Sequence, residues 1–368
     1  MSPIEHLYIH IPFCPKLCPY CCFYVEEGSK NKNRAFLDAL LKDLEVQAQT
    51  REILPRTLYF GGGTPTSLLA DQLEYLLSGI RDRLPLHRLE EWTVEANPAT
   101  VRPEKARLLK DAGVNRISLG VQSWNDATLK TLGRMHSSAQ ARTTVETLKA
   151  AAFEAINIDL MFSVPGQTQE QWESDLQTTI ALEPSHISAY CLTYEEDTEY
   201  FRKLTNGQFT QDEGHDARLF ELTMDRLGEA GYRQYEISNH ARPGCESRHN
   251  IACWEGREYL GLGPSAFSTL GGERLQNVCD TAEYVRKVEA GNSPVFSRES
   301  LAAATLLKEK IAFGLRMDTG VEESLLSPWA GEKEHLVDIG LLEKSGSRLR
   351  LTRRGRMLAD AVGEAFMG

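Results

Sequence analysis

The chain has 368 residues, 41% hydrophobic and 25% charged, which is the composition of an ordinary globular protein. Its 41 lysines and arginines against 52 aspartates and glutamates give a formal net charge of −11. This charge disfavours a general nucleic-acid binder, because phosphate contacts require concentrated positive charge.

The sequence also bears on where the protein is found. No apolar run approaches the ~20 residues that a membrane span needs, and we expect no signal segment before the first structural element. Eight cysteines, three of them in one short loop, fit a reducing compartment better than a disulfide scaffold. We therefore expect a cytoplasmic protein.

Short β-branched and aromatic runs alternate with amphipathic stretches in the first two-thirds of the chain, which is typical of βα units on a parallel sheet. The predicted strands cover residues 7–13, 57–60, 91–96, 116–121, 156–162 and 186–192. Between them, apolar stripes predict helices around 36–44 and 68–77, and Pro103 and Gly113 mark the start and end of another. Six βα units are too few for a closed eight-stranded barrel, so we predict an α/β fold with an open, partial (β/α)6 TIM-like barrel.

The first predicted strand leads into Cys14-Pro-Lys-Leu-Cys18-Pro-Tyr-Cys21, a C-x3-C-x2-C spacing. Thiolates are soft ligands that select iron–sulfur clusters or zinc over hard cations. A closed zinc site takes four ligands, and Cys22 is a poor fourth because adjacent side chains on an extended backbone point apart. Three thiolates on a four-iron cluster leave one iron open to a small molecule. We therefore interpret these cysteines as an open iron–sulfur site, over the alternative of three scattered buried cysteines.

Further candidates follow the carboxyl ends of the predicted strands, where parallel βα barrels gather their chemistry. The second strand leads into Gly61-Gly62-Gly63-Thr64-Pro65, whose glycines either admit a ligand close to the backbone or simply end the strand. Glu95 and Gln122 end the third and fourth strands, Asp159 lies in the fifth, and Arg134 follows a short helix. A carboxylate in an apolar strand needs a partner, so an Asp159–Arg134 ion pair is a purely structural alternative.

The cysteine spacing directly after Tyr8-Ile9-His10-Ile11-Pro12-Phe13 resembles the radical S-adenosylmethionine (SAM) superfamily. The residues of this stretch are most similar to those of the oxygen-independent coproporphyrinogen III oxidase-like branch, which includes the HemW type of heme chaperone. The resemblance covers roughly residues 4–240 and implies the same partial barrel. It also implies that the three cysteines hold a [4Fe–4S] cluster, whose fourth iron binds the amino and carboxylate groups of SAM.

The resemblance further implies a set of SAM-binding residues. They are Tyr8, Tyr20, Gly62, Gly63, Thr64, Glu95, Gln122, Arg134 and Asp159. Within this set, Gly62, Gly63 and Thr64, here called the glycine–threonine loop, would bind the amino group of the methionine part of SAM. Arg134 would bind the carboxylate of the same part. The acidic and amide side chains would hold the ribose, and Tyr20 would lie near the adenine.

The pattern changes beyond residue 195. Residue spacing predicts a helix over 212–230 and a strand over 233–238, followed by a loop over 239–244. At this loop we divide the chain into two predicted domains, 1–240 and 241–368. A helix end and a β-hairpin over 340–352 suggest a partly helical, winged-helix-like module in the second domain. Its arginines suggest DNA binding, but the acidic chain and the resemblance favour a domain that packs over the site.

The stretch His249-Asn250-Ile251-Ala252-Cys253-Trp254 resembles the His-Asn-x-x-Tyr-Trp motif of HemW-type proteins, which makes His249 a candidate heme ligand. An isolated histidine before an apolar run is otherwise usually a hydrogen-bonded structural residue. Cys253 stands where the family usually has tyrosine. A cysteine at this position could itself offer heme iron an alternative ligand.

The resemblance implies one of two functions, and both use the cluster and SAM. In the first, a heme chaperone binds heme and delivers it to an apo-hemoprotein. If that acceptor lies at a membrane, the chaperone would contact the membrane peripherally through it. In the second, a radical enzyme cleaves SAM, either as an anaerobic coproporphyrinogen III oxidase or as a related two-SAM C-methyltransferase. The enzyme branch has an extension before the cluster and a further cysteine where this chain has Phe23. Both differences favour the chaperone.

Overall fold

A computed structural model describes residues 3–368. Its strands are β1 (Ile4–Ile11), β2 (Phe13–Cys14), β3 (Glu26–Glu27), β4 (Ile53–Gly62), β5 (Glu91–Ala96), β6 (Arg116–Gln122), β7 (Ala155–Phe162), β8 (His186–Cys191), β9 (Arg233–Gln234), β10 (Asn239–Ala241), β11 (Leu260–Leu262), β12 (Phe267–Leu270), β13 (Glu273–Asn277), β14 (Val295–Ser300), β15 (Val321–Glu322), β16 (Leu342–Ser345) and β17 (Arg348–Leu351). Its helices are α1 (Lys30–Thr50), α2 (Ala70–Arg83), α3 (Pro103–Ala112), α4 (Asp126–Thr131), α5 (Ser138–Ala150), α6 (Gln169–Ala181), α7 (Glu199–Thr205), α8 (Glu213–Glu229), α9 (Arg248–Trp254), α10 (Thr281–Glu289), α11 (Ala303–Arg316), α12 (Ala330–Asp338), α13 (Arg353–Met357) and α14 (Ala359–Glu364). None of these helices is long and apolar enough to cross a membrane.

Six parallel strands, β1 and β4 to β8, lie side by side in chain order and form the predicted partial barrel. Each of the six predicted strands is confirmed, with ends that shift by a few residues. Parallel β11 extends the sheet beyond β1, and antiparallel β10 and β9 extend it beyond β8. Because β11 and β9 do not pair with each other, the barrel stays open.

Local sequence explains where the barrel elements begin and end. The apolar stripe of α1 is fully buried at Phe36, Leu40 and Leu44, as its helical spacing predicts. Pro103 occupies the first turn of α3, and Gly113 caps its end in the left-handed region with a φ of 103°. The helices between the strands therefore cover the outer face of the barrel with their apolar sides.

The predicted strand over 233–238 is confirmed only at Arg233 and Gln234 and is wrong beyond them. The chain pairs at β9, turns, and pairs again at β10, so the predicted loop that begins at Asn239 starts as a strand. The turn is stabilised locally, because Gln234 Nε2 donates to Ile237 O at 2.8 Å and Ser238 N donates to the Glu236 carboxylate at 3.2 Å. Polar side chains that bond the nearby backbone compete in this way with a continuous strand.

The chain beyond residue 240 divides between two apolar cores. Strand β11 and helix α10 pack on the barrel, where the Tyr284 hydroxyl donates to the Asp43 carboxylate of α1 at 2.6 Å. From α11 onward a second core forms around Ile311, Leu326 and Phe366. There α11, β15, α12 and the predicted hairpin β16–β17 follow one another in the order of a winged helix. The domain boundary at residue 240 stays a prediction.

Replacing the buried phenol tests the packing of α10 on the barrel. Tyr284→Phe should lower the free energy of unfolding by about 1–3 kcal/mol, because the buried Asp43 carboxylate loses a donor and keeps only Gln47 among its side-chain donors. The matched control is Tyr75→Phe, whose hydroxyl bonds the exposed carboxylate of Asp38 at 2.7 Å. It should change stability by less than about 0.5 kcal/mol. Urea unfolding that gives equal values for both variants would contradict the assignment.

Candidate functional site

A cavity of 360 Å³, here called the inner cavity, opens at the carboxyl ends of the barrel strands. Every residue predicted from the sequence to bind the cluster or SAM lines it, except Tyr8. The parallel topology explains this convergence, because the loops after neighbouring strands meet at one edge of the sheet. The structure thus brings together residues that lie far apart in the sequence, from Cys14 to Asp159.

The three cysteines face the inner cavity from β2 and the loop that follows it. Cys21 N donates to Cys18 O at 3.1 Å, which makes this loop a tight turn. Cys14, Cys18 and Cys21 are partly buried, whereas Cys22 is exposed and does not line the cavity. Burial raises the pKa of Cys14, and it raises the pKa of Cys21 to about 11, so both thiols favour the neutral form unless a cation replaces the proton.

The chemistry of the donor set fits an iron–sulfur cluster, because three soft thiolates lie on one short loop beside the inner cavity. In a [4Fe–4S] cluster each thiolate binds a different iron, so its ligands lie further apart than those of mononuclear zinc. The donor set therefore fits an iron–sulfur cluster held by Cys14, Cys18 and Cys21.

The glycine–threonine loop is pressed against the cysteine loop. Its amides donate as follows: Gly62 N to Glu95 Oε2 at 3.2 Å, Gly63 N to Ile11 O at 2.8 Å, and Thr64 N to Phe13 O at 2.8 Å. A Cβ on Gly63 would lie 2.7 Å from Ile11 O, so only glycine fits there. Since these amides are used within the protein, the loop offers the cavity acceptors rather than free N–H groups. This arrangement suits a cationic amino group.

Two carboxylates are buried in the wall of the inner cavity. Glu95 accepts a hydrogen bond from the Tyr59 hydroxyl at 2.8 Å, and burial raises the pKa of Glu95 to about 7. Asp159 accepts from Ser118 Oγ at 3.1 Å and from Asn157 Nδ2 at 2.6 Å, and burial raises its pKa as well. Because these neutral groups are its partners, the Asp159–Arg134 ion pair considered from the sequence is wrong.

Two polar atoms of the inner cavity are buried without a hydrogen-bond partner. Arg134 Nη2 donates to Gly120 O at 2.7 Å and Nη1 lies 3.7 Å from Cys18 Sγ, but Arg134 Nε has no acceptor. Gln122 Oε1 has no donor, and the backbone of Gln122 is held in the left-handed region with a φ of 68°. Each unsatisfied atom costs about 1–3 kcal/mol. A ligand with a carboxylate for Arg134 and a hydroxyl for Gln122 would satisfy both, so the residues fit SAM.

Tyr8 lies deeper in the barrel than predicted. Its hydroxyl is 3.1 Å from His10 Nδ1, and its ring stacks on Tyr59 with centroids 6.1 Å apart. Tyr59 itself lines the inner cavity, so Tyr8 is in contact with the wall but is not part of it. A direct contact of Tyr8 with SAM stays a prediction.

Sequence reasoning missed several residues of the inner wall. Tyr59, Ser118, Met161 and Tyr190 all line the inner cavity. The missed signal is the two-residue period of strands, since Ser118 precedes Gly120 and Gln122, and Met161 follows Asp159. Once one inward-facing residue is assigned, every second residue on the same strand should be considered.

A second cavity of 1220 Å³, here called the outer cavity, adjoins the inner one. Phe23 and Tyr190 line both cavities. Its apolar wall consists of Trp254 from α9, Phe267 from β12, and Leu306 and Phe313 from α11. Its polar wall includes four basic residues, Arg257, Arg274, Lys310 and Arg316, and four acidic residues, Glu195, Glu236, Glu255 and Glu309. Apolar walls with a few charged groups suit a large ligand that is apolar in its body and charged at its edge.

His249 is not part of the outer cavity. It is 5% exposed, its Nδ1 lies 2.8 Å from Thr57 Oγ1, and its ring stacks on Tyr59 with centroids 5.0 Å apart. Burial lowers the pKa of His249 to about 3, so its imidazole is neutral. These contacts agree with the hydrogen-bonded structural alternative, and a role as heme ligand stays a prediction. Cys253, in the same helix, does line the outer cavity.

The chain is similar to known proteins over nearly its full length. The profile of the radical SAM superfamily matches residues 8–178. The heme chaperone HemW of Lactococcus lactis subsp. lactis is 37% identical over 98% of this chain and 96% of its own length. HemW of Bacillus subtilis is 34% identical over 99% of this chain and 100% of its own length.

Among solved structures, the radical SAM enzyme coproporphyrinogen III oxidase (HemN) from Escherichia coli superimposes with a TM-score of 0.86. The superposition covers 99% of this chain and 90% of that chain, at 23% sequence identity. At this identity the likeness establishes the fold, including the part of the chain that follows the barrel.

Substitution of each cysteine tests the cluster assignment. Cys14→Ala, Cys18→Ala and Cys21→Ala should each lose bound iron and sulfide after anaerobic reconstitution, because a two-thiolate site is labile. Cys22→Ala is the matched control and should keep both, since its side chain is exposed outside the inner cavity. Loss of iron in Cys22→Ala with retention in Cys18→Ala would refute the ligand set.

Substitution of the polar wall tests the SAM site. Arg134→Ala and Asp159→Asn should each weaken SAM binding about tenfold or more while iron content is unchanged, because each removes a charge-assisted hydrogen bond worth roughly 1.5–3 kcal/mol. Arg142→Ala is the control, since this exposed arginine covers the Trp124 ring outside the cavity. The measurement is calorimetry on reconstituted protein. Unchanged affinity in both wall variants would make these residues purely structural.

Proposed function

The chain belongs to the radical SAM superfamily and, within it, to the HemW family of heme chaperones, and from this membership we propose that it binds heme and delivers it to an apo-hemoprotein. The observation that carries the proposal is the similarity to HemW proteins over nearly the whole chain, including the segment that builds the outer cavity. Phe23, which replaces the further cysteine of the enzyme branch, supports the same choice.

The inner cavity would hold the cluster and SAM. When bound, these groups supply the superfamily's one-electron chemistry. The residues of the chain orient and enclose them: the three cysteines anchor the iron, and the carbonyl groups of the glycine–threonine loop accept from the amino group. Arg134 pairs with the carboxylate of the methionine part, and Glu95 and Asp159 accept from ribose hydroxyls. Asn157 and Ser118 hold the Asp159 carboxylate in place through the hydrogen bonds described above.

The outer cavity is the proposed heme site. Its aromatic wall can cover the face of the porphyrin, as Trp254 and Phe313 already pack edge to face with centroids 5.9 Å apart. Lys310 is exposed and forms no ion pair among the described residues, so it can pair with a propionate at the cavity mouth. Because Phe23 and Tyr190 border both cavities, bound heme would lie beside bound SAM.

Delivery requires a partner that can reach the heme. Phe267 is 42% exposed and Leu306 is 38% exposed, so the apolar wall of the outer cavity extends to the protein surface. An apo-hemoprotein can therefore contact the heme at this mouth without the barrel opening. The cytoplasmic location inferred from cysteine usage is part of this proposal, and all eight cysteines are free.

A charge on the apolar wall tests the heme site. Phe267→Asp should weaken hemin binding at least about tenfold, because it places a carboxylate against the porphyrin face. Iron content and SAM affinity should be unchanged. Phe296→Asp is the matched control: it adds the same charge to the same three-stranded sheet, but Phe296 is 73% exposed and outside the outer cavity. Titration with hemin, followed by the Soret band, gives both affinities.

The same titration separates the two histidine interpretations, and assays of heme transfer and of turnover separate the two functions. His249→Ala should lose the Soret band if His249 is the axial ligand, and keep it if that imidazole is structural. Wild-type protein loaded with heme should transfer it to an apo-hemoprotein. Stoichiometric conversion of coproporphyrinogen III by the reduced protein, with 5′-deoxyadenosine formed in step, would instead establish the enzyme.

A further inference from the structure

A third cavity of 400 Å³ lies between the barrel and the C-terminal module and shares no lining residue with the inner or outer cavity. The barrel side is formed by α8, β9 and β10, and the other side by β16, β17 and α13. Four arginines line it, Arg233, Arg350, Arg353 and Arg356, against two acids, Asp318 and Glu343. The lining charge is therefore 4 − 2 = +2 in a chain of net charge −11, and Arg353 also pairs with Asp225 outside the lining at 2.5 Å. We call it the arginine cleft.

Two of these arginines keep most of their donors free. Arg233 uses Nε to bond Asp318 at 2.6 Å, and Arg350 uses Nε to bond Glu343 at 2.8 Å. A guanidinium group carries five N–H donors. In the part of the chain that the structure describes, both Nη groups of Arg233 and of Arg350 have no hydrogen-bond acceptor, so each side chain still presents a fork of donors.

Arg356 has no carboxylate partner among residues 3–368. Its Nη1 donates to the neutral Gln234 Oε1 at 2.6 Å. Burial lowers the pKa of Arg356; the nearby carboxylates of Asp318 and Glu343 raise it, and the cations Arg350 and Arg233 lower it, so the acids only partly offset burial and the repulsion between the guanidinium groups. A cation in this position is costly until an anion joins it.

His240 adds a second unsatisfied group to the same cleft. It is 1% exposed and lines the cleft, and neither ring nitrogen has a hydrogen-bond partner within residues 3–368. A buried imidazole without any partner is rare in proteins, because burying a polar group without a hydrogen bond costs free energy. Arg356, which has no carboxylate partner, and His240, whose ring nitrogens have no hydrogen-bond partner among the described residues, therefore both point to an acceptor that the protein itself does not provide.

We propose that the arginine cleft binds a dianionic phosphate group, either inorganic phosphate or the phosphate of a small ester. Three guanidinium forks from Arg233, Arg350 and Arg356 match the several oxygens and two charges of phosphate, whereas one carboxylate occupies a single fork. Arg233 belongs to the barrel, and Arg350 and Arg356 belong to the C-terminal module. The bound anion therefore bridges the two parts of the protein and stabilises their contact.

Calorimetry with inorganic phosphate on the full-length reconstituted protein, at constant ionic strength, tests the proposal. Wild type should show saturable binding to one site and a higher Tm in phosphate. Arg233→Gln combined with Arg350→Gln should weaken binding at least about tenfold, because two charged forks are lost. Arg286→Gln is the matched control, since this arginine is 72% exposed on α10, outside the cleft, and it should bind like wild type.

Two further measurements cover a variant that does not fold and separate the two possible sources of the phosphate group. If the double variant does not fold by circular dichroism, Arg350→Gln alone is measured, since this side chain is 41% exposed. Glycerol phosphate compared with inorganic phosphate separates the two sources: tighter binding of the ester identifies a phosphorylated metabolite, and equal or weaker binding identifies free phosphate. Absence of saturable binding, or equal affinity in wild type and the cleft variants, would overturn the proposal. Neither result depends on heme binding.

Discussion

The site depends on two backbone hydrogen bonds, from Gly63 N and Thr64 N to the carbonyl groups of Ile11 and Phe13. They hold the loop after β4 against the loop after β1, and this contact leaves Cys14 Sγ 3.5 Å from Thr64 Oγ1. A side chain on Gly63 would meet the Ile11 carbonyl oxygen, so the contact requires glycine. Cluster ligands and SAM ligands therefore share one wall only because two distant segments are joined by their backbones.

The interior of the open barrel is a continuous network of polar groups rather than a purely apolar core. From Asp159 the hydrogen bonds run through Asn157 to His186, at 2.6 Å for each step, and from His186 to the Tyr235 hydroxyl at 2.9 Å. The network continues through Ser247 to Glu91, whose carboxylate accepts the amides of Arg248 and His249 at the start of α9. The negative charge satisfies free N–H groups of that helix and fixes its position on the barrel. Helix α9, which contributes Cys253 and Trp254 to the outer cavity, is thus placed by the barrel itself.

The two adjoining cavities connect the cofactor site with the proposed heme site through two aromatic residues. Phe23 follows the third cysteine by two positions, and Tyr190 lies near the end of β8, so each comes from an element that also shapes the inner cavity. Phe23 is 65% exposed, so its ring is available to a ligand in the outer cavity. A porphyrin in the outer cavity would cover this ring and separate the inner cavity from solvent.

The sequence by itself determined the six barrel strands, because strand periodicity is a local signal. Its cysteine spacing predicted the cluster ligands, and its family resemblance predicted the SAM-binding residues, which with the exception of Tyr8 line the inner cavity. Only the tertiary structure decided which groups partner Asp159, and it placed Cys253 but not His249 at the outer cavity. It also joined β10 and β11 to the barrel sheet and brought Arg233 beside Arg356. The reason is physical: such contacts form between segments up to hundreds of residues apart, and packing and the satisfaction of buried polar groups select them, whereas a local pattern of residues carries no record of its distant partner.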